Sequence, residues 1–148
     1  MAGIQVFAQT AEVALSAATA KTVIQIVAPT NQRLKLKEWG VFFDGVSGTA
    51  EPVQVRLLRQ TTAGTMSALT PVSRVPISET IQTTAQHTAT AEPTAGDVLD
   101  VIECHPQGGY EKIFAPGDEI IMAGGGRIGI ECTAPATVNV RAKFAWEE

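Results

Sequence analysis

The run from Arg33 to Asp44, RLKLKEWGVFFD, constrains the fold more than any other part of the sequence. Its first half alternates leucine with charged residues, as expected of a strand with one buried face. The alternation then changes phase, because Trp39, Val41 and Phe43 fall on the same side as the upstream lysines. A one-residue bulge would restore a single buried face, and the alternative is that other parts of an assembly cover the second half on both sides. Under either interpretation, the run predicts a long central strand.

The composition favours an all-β domain. Thr, Val, Ile, Gly and Pro are abundant and helix formers are scarce in the interior of the chain. The net charge of −4, with no basic run to offset it, argues against nucleic-acid binding. No apolar stretch reaches about 18 residues, so no membrane span is expected. The first residues lack the basic and apolar regions of a signal peptide, which predicts a protein made and kept in a cytoplasm.

Turn residues divide the chain into short apolar runs. Gly, Pro, Asn and Asp separate about eight to ten strands, with no crossover helix between them, so antiparallel pairing is expected. Two packed sheets of this size favour a jelly roll, whose last strand is central and has one face buried throughout. The final run, TVNVRAKFAW at 137–146, alternates as that position requires. An immunoglobulin-like sandwich is the alternative, although it fits the long middle connection less well.

Two segments lack clear strand patterns. Residues 60–96 are rich in Thr, Ala, Ser and Pro, yet apolar residues recur often enough to predict an ordered connection with one or two short strands. Residues 1–10 contain Ile4, Val6 and Phe7 without a turn signal that anchors them to a domain. Such a segment is either the first edge strand or an arm that reaches a neighbouring subunit or the capsid surface. The arm is predicted, with 11–148 as a single β-sandwich domain.

No constellation of catalytic or metal-binding residues is apparent. His87 and His105 lack the paired spacing of a metal site, and Cys104 and Cys132 lack zinc-site spacing. The cysteines are predicted to be buried thiols, with a bridge left open as the alternative if their strands are neighbours. The chain is therefore expected to be no enzyme and to carry no cofactor or metal. A carbohydrate- or receptor-binding module is the alternative function, with Trp39 as a candidate sugar platform.

The layout from residue 21 onward resembles that of the capsid decoration, or cement, proteins of tailed bacteriophages. The residues that carry the resemblance are Glu38-Trp39-Gly40, Phe43-Asp44-Gly45, Leu58 to Pro71, Gly96-Asp97, His105-Pro106, Gly124 to Arg127 and Cys132 to Pro135. The resemblance implies a jelly-roll-like protein that binds the outside of a capsid at symmetry axes, frequently as a trimer. A sandwich fold alone does not specify this function.

The expected function is therefore that of a structural virion protein on the capsid exterior, assembled in the host cytoplasm. Its expected partners are the major capsid protein and further copies of itself, with a homotrimer favoured, and neither nucleic acid nor membrane. The second half of the 33–44 run has more apolar faces than one small sandwich can bury without a bulge, and a protein interface would cover the excess. The residues predicted for the capsid or subunit interface are Ile4, Val6, Phe7, Trp39, Val41 and Phe43.

Overall fold

The computed structural model describes residues 3–148. This part of the chain forms thirteen strands joined by loops and contains no helix. The strands pair antiparallel in two sheets that enclose one core. In chain order they are β1 Gln5–Gln9, β2 Val13–Leu15, β3 Ala20–Val27, β4 Leu34–Phe43, β5 Val53–Gln60, β6 Thr65–Leu69, β7 Val72–Ser73, β8 Thr84–Ala91, β9 Ala95–Cys104, β10 Gly109–Ile113, β11 Ile120–Met122, β12 Arg127–Thr133 and β13 Val138–Glu147. The predicted all-β sandwich is confirmed.

The order of the strands is that of a jelly roll. Sheet 1 has the order β10-β4-β13-β1-β7, with β11 also paired to β4 and β2 to β13, and sheet 2 has the order β6-β8-β3-β12-β5-β9. Strands β2 to β5 therefore alternate between the sheets, and their four-stranded centres are β2-β13-β4-β10 and β3-β12-β5-β9. An immunoglobulin-like sandwich would instead pair several consecutive strands within one sheet. The last strand is central, as predicted.

Strand β4 contains a one-residue bulge, which is the first of the two explanations for its phase change. Its partners Ala145 and Trp146 are consecutive on β13, but they lie opposite Glu38 and Leu36, which are two residues apart. Lys37 is the extra residue. A bulge of this kind turns the apolar side chains on both sides of it to the same face of the sheet.

The core between the sheets takes up the apolar residues of β4. Trp39 and Val41 are fully buried, and Phe43 is 9% exposed. Tyr110 packs against Trp39, with ring centroids 5.3 Å apart. Full burial of one such side chain contributes about 1.5 to 3 kcal/mol, so β4 is a major source of stability. The homo-oligomer was predicted because β4 has more apolar side chains than one sandwich could bury without a bulge. With the bulge in place, the chain itself covers this apolar surface.

The N-terminal segment lies in sheet 1 instead of projecting as an arm. Strand β1 lies between β13 and β7, and Val6 is fully buried. Strands β1 and β2 pair with successive parts of β13. Between them, the Thr10 hydroxyl accepts a hydrogen bond from the Ala142 N–H at 3.0 Å, which holds the connecting residues against β13. The structure therefore corrects the boundary predicted between 1–10 and 11–148, since backbone pairing and burial are available within the chain. Met1 and Ala2 lie outside the described residues.

The segment 60–96 is more regular than its composition predicts. It contains three strands, of which β6 and β8 extend sheet 2 beyond β3 and β7 extends sheet 1 beyond β1. Strand β8 is eight residues long, but it consists mostly of Thr and Ala, which give little contrast between a buried and an exposed face. The prediction of one or two short strands therefore underestimates the order in this segment.

Candidate binding surfaces

The predicted interface residues lie mostly in the core. Val6 and the three residues of β4, namely Trp39, Val41 and Phe43, are buried, and Ile4 packs partly buried against them. This corrects the prediction of an interface role for these side chains. The bulge at Lys37 turns the β4 residues to the inner face of sheet 1, so the core of the chain itself covers them. Burial also removes Trp39 as a sugar platform. Among the six predicted residues, Phe7 alone lies on the outer face of sheet 1, where it is partly exposed.

Phe7 belongs to a row of side chains on the outer face of sheet 1. One residue from each of five neighbouring strands is aligned in register, and we call this set the apolar row: Ile113, Glu38, Ala145, Phe7 and Val72. Ile113 is 70% exposed and Val72 is 49% exposed, whereas Ala145 is buried. Five strands at a spacing of about 4.8 Å make the row roughly 20 Å wide. The row crosses the whole sheet, so it offers a broad surface instead of a pocket.

Glu38 is the one charged member of the apolar row, and its charge is compensated. Its carboxylate lies 2.5 Å from the Lys143 ammonium and 3.3 Å from the Arg74 guanidinium. Burial acts to raise the pKa of Glu38, but the hydrogen bond and charge of Lys143, with the charge of Arg74, hold it below its ordinary value. The Arg74 guanidinium also lies 5.9 Å from the centre of the Phe7 ring.

The ion pairs extend to the neighbouring row. Lys143 also pairs with Glu111 at 3.0 Å, and it reaches across Gly40, where an added Cβ would come within 3.2 Å of its chain. The pKa of Lys143 is lowered by burial but raised further by its bonds to Glu38 and Glu111, so that the net shift is upward. A partner that covers the row would therefore not have to bury an unpaired carboxylate, which would be strongly unfavourable.

A second surface feature lies at one end of the sandwich, where three loops meet. These loops, 44–52, 105–108 and 134–137, enclose a cleft of about 340 Å³, which we call the loop-end cleft. Its lining is mainly apolar and comprises Val46, Ala50, Val53, Pro106, Pro135 and Val138, together with the more polar Ser47, Glu51 and Thr137. Val46 stands at its rim with 92% of its surface exposed.

Hydrogen bonds fix the loops around the cleft. The Asp44 carboxylate accepts bonds from the Asn139 side chain and backbone N–H, both at 2.9 Å, and these bonds lower the pKa of Asp44. The Gly45 N–H donates to the Pro106 carbonyl at 2.7 Å. A Cβ at position 45 would lie 2.5 Å from that oxygen, so the close contact requires glycine. The cleft is therefore formed before any ligand binds.

The cysteines and histidines form no site with one another. Cys104 and Cys132 are buried and unbridged, and they face Val53 and Val55 from opposite sides of β5. Two strand spacings separate them by about 9.5 Å, which exceeds the reach of a disulfide. Burial raises the pKa of both thiols. Within residues 3–148 no group of three or more His, Cys, Asp or Glu residues could hold a metal ion.

No protein-family model, curated protein or solved structure matches the chain. The described residues also contain no helix long and apolar enough to cross a membrane.

Proposed function

We propose that the protein is a structural virion protein that binds the outer surface of a tailed-phage capsid and stabilises it. The apolar row on the outer face of sheet 1 is the observation that supports this most directly. Small ligands favour concave pockets, whereas stable protein contacts cover broad surfaces of about 800 Å² on each partner. A row that crosses five strands, flanked by paired charges, suits a second protein better than a small molecule.

The proposed partner is the major capsid protein, and the proposed location is the exterior of the assembled particle. A surface with few exposed aliphatic groups gives a weak contact, because the entropy lost on binding offsets much of the burial. Several copies joined at one symmetry axis would bind together far more tightly than one copy. A homotrimer is therefore part of the proposal. The role requires no catalysis, no cofactor, no nucleic acid and no membrane.

Co-sedimentation with purified phage heads tests the proposal. The first step is to identify a major capsid protein gene beside the gene for this chain. Heads assembled from its product are then mixed with the protein, and bound protein is measured across a concentration series. The test variant replaces Ile113 and Val72 with Ser, which removes the two most exposed aliphatic groups of the row. We expect at least a tenfold loss of apparent affinity. The absence of a capsid gene nearby, or of binding by the unmodified protein, would contradict the proposed function.

A matched variant controls for general surface effects. Val98 and Val101 on β9 are 44% and 50% exposed and belong to sheet 2, away from the row. Replacing both with Ser removes a similar amount of exposed aliphatic surface and should leave binding to heads unchanged. Equal losses from the two double variants would show that the row is not the docking surface. Light scattering of the free protein and of protein released from heads tests the trimer.

A further inference from the structure

We infer that the loop-end cleft is a second docking point, which takes an aliphatic side chain with a neighbouring Lys or Arg on a partner polypeptide. The cleft lies at the end of the sandwich, while the apolar row lies on the outer face of sheet 1, so the two surfaces are separate. The inference rests on the proposed function only in naming the capsid subunit as the source of that polypeptide. The shape, charge and rigidity of the cleft support the assignment of an aliphatic side chain and a neighbouring basic residue.

The apolar lining defines the first part of the ligand. Val53 is fully buried at the base of the cleft, and prolines 106 and 135 line it as well. A volume of about 340 Å³ lies at the lower end of the range for small-molecule sites, about 300 to 1,000 Å³. It accommodates one or two side chains. None of the described residues that line the cleft has an aromatic ring, so a sugar or base would lack a stacking surface there.

The charges of the three loops define the second part. Asp44 and Glu51 are their only acidic residues, and the loops contain no Lys or Arg. Among the described residues, Glu51 forms no ion pair and is exposed, so it can accept a bond from a partner. Asp44 keeps its charge because Asn139 holds its carboxylate. The mouth of the cleft is therefore negative, which favours a basic group beside the aliphatic one.

The rim of the cleft is held in place but left uncovered. The Gln107 side-chain amide donates to the Val46 carbonyl at 3.0 Å, which adds to the bonds made by Asp44 and Gly45. The Val46 side chain is nevertheless almost completely exposed. A preformed site loses little entropy when it binds, so even a short segment can be held there. A partner segment would cover Val46 while its aliphatic side chain enters the cleft.

Titration of ¹⁵N-labelled protein with three capped peptides tests this inference by NMR. The peptides are Gly-Leu-Lys-Gly, Gly-Leu-Glu-Gly and Gly-Ser-Lys-Gly. The Leu-Lys peptide should shift the amides of 45–51 and 136–138, with an affinity at least fivefold higher than that of the Leu-Glu peptide. The Ser-Lys peptide should give no saturable shift. Equal affinities for all three peptides, no shifts with any peptide, or shifts confined to other regions would overturn the inference.

Two variants show whether Glu51 is the group that recognises the basic residue. Glu51→Gln should lower the affinity for the Leu-Lys peptide at least threefold and abolish the preference over Leu-Glu. Glu103→Gln, at an exposed acidic position of β9 outside the cleft lining, should change neither. If Glu51→Gln leaves the preference intact, the assignment is wrong.

The peptide test and the head-binding test can fail separately. Peptide binding without binding to phage heads would refute the proposed function and leave the cleft as a docking point for another protein. Binding to heads without any peptide shift would leave the proposed function standing and refute the inference about the cleft.

Discussion

The two faces of sheet 1 are formed by the same strands, but the inner face belongs to the core and the outer face to the surface. On the inner face, Trp39 and Phe144 are fully buried and hold the sheets together. On the outer face, the aligned residues of neighbouring strands form a row with an exposed aliphatic group at each end and one compensated carboxylate between them. The bulge at Lys37 separates these roles, because it keeps every large apolar residue of β4 except Phe42 inside. The strong apolar pattern of these strands belongs to the core, and the weaker, mixed pattern belongs to the surface that we propose for binding.

Exchanging Glu38 and Trp39 should have the largest effect on this division. The exchange would turn the carboxylate into the core and the indole to the outer face. An uncompensated buried charge costs about 3 to 5 kcal/mol and the lost burial of the indole about 1.5 to 3 kcal/mol, which together are comparable to the whole stability of a small domain. We expect the exchange variant to be largely unfolded by circular dichroism and urea titration. Deletion of Lys37 removes the bulge but leaves the apolar residues of β4 in one regular phase, so that variant should remain folded; a stable exchange variant would show that the phase of these residues does not decide which face they occupy.

Trp39→Ala tests the inner face alone. Removing a fully buried aromatic side chain leaves a cavity next to Tyr110 and should lower the free energy of unfolding by about 3 to 5 kcal/mol. Chemical denaturation measures the loss. A change below about 1 kcal/mol would mean that this side chain is not part of the core, and an interface role for it would have to be reconsidered.

Glu38→Gln addresses the boundary between the faces, since Glu38 lies on the outer side but is only 9% exposed. Losing its charge-assisted bonds to Lys143 and Arg74 should lower the free energy of unfolding by about 1.5 to 3 kcal/mol at pH 7. The folded state depresses the pKa of Glu38 below its ordinary value of 4.5. Its contribution is therefore present above that value and lost as the pH falls through the folded pKa.

Urea titrations from pH 7 to pH 3 check this dependence. The difference in unfolding free energy between the unmodified protein and Glu38→Gln should be constant above about pH 5.5, because both states are then ionised. It should shrink below pH 4.5. A difference that grows on acidification would contradict the assigned ion pairs.

Ile113→Ser should have the smallest effect on stability. With 70% of its surface exposed, Ile113 contributes little to the core, and the free energy of unfolding should change by no more than about 0.5 kcal/mol. Binding to phage heads should nevertheless fall. A loss of stability as large as that of Trp39→Ala would erase the contrast between the two faces.

The fold could be predicted from the sequence because its main features are local patterns. The phase change in β4 and the clean alternation of β13 each show in consecutive residues, and the structure confirms both the bulge and the central last strand. The role of β1 could not be predicted in the same way. Its pairing depends on β13, at the other end of the sequence, and an apolar strand at a terminus reads the same whether its partner lies in the same chain or in another.

The two candidate surfaces were beyond sequence analysis for a related reason. Ile113 and Val72 are single aliphatic residues in polar surroundings, and only the register across five strands aligns them. The loop-end cleft likewise combines three loops that are far apart in the chain. Alternation identifies which residues share a strand face, but it does not show which strands are neighbours. Four of the six predicted interface residues lie in the core, because the strongest apolar pattern belongs to the core.

The alternation of consecutive strands between the two sheets also sets how the chain folds. None of the thirteen strands in the described residues pairs with the strand that precedes it. Strand β1 must wait for β13, and the bond between Gly3 and Glu147 joins residues that are 144 positions apart. Long-range pairings of this kind require the closure of large loops before they add stability, and domains dominated by them fold in about milliseconds to seconds. Because β13 is the centre of sheet 1, that sheet cannot form before β13 has been synthesised. A nascent chain would expose the apolar face of β4 until β13 leaves the ribosome, which makes this interval the time of greatest risk of aggregation.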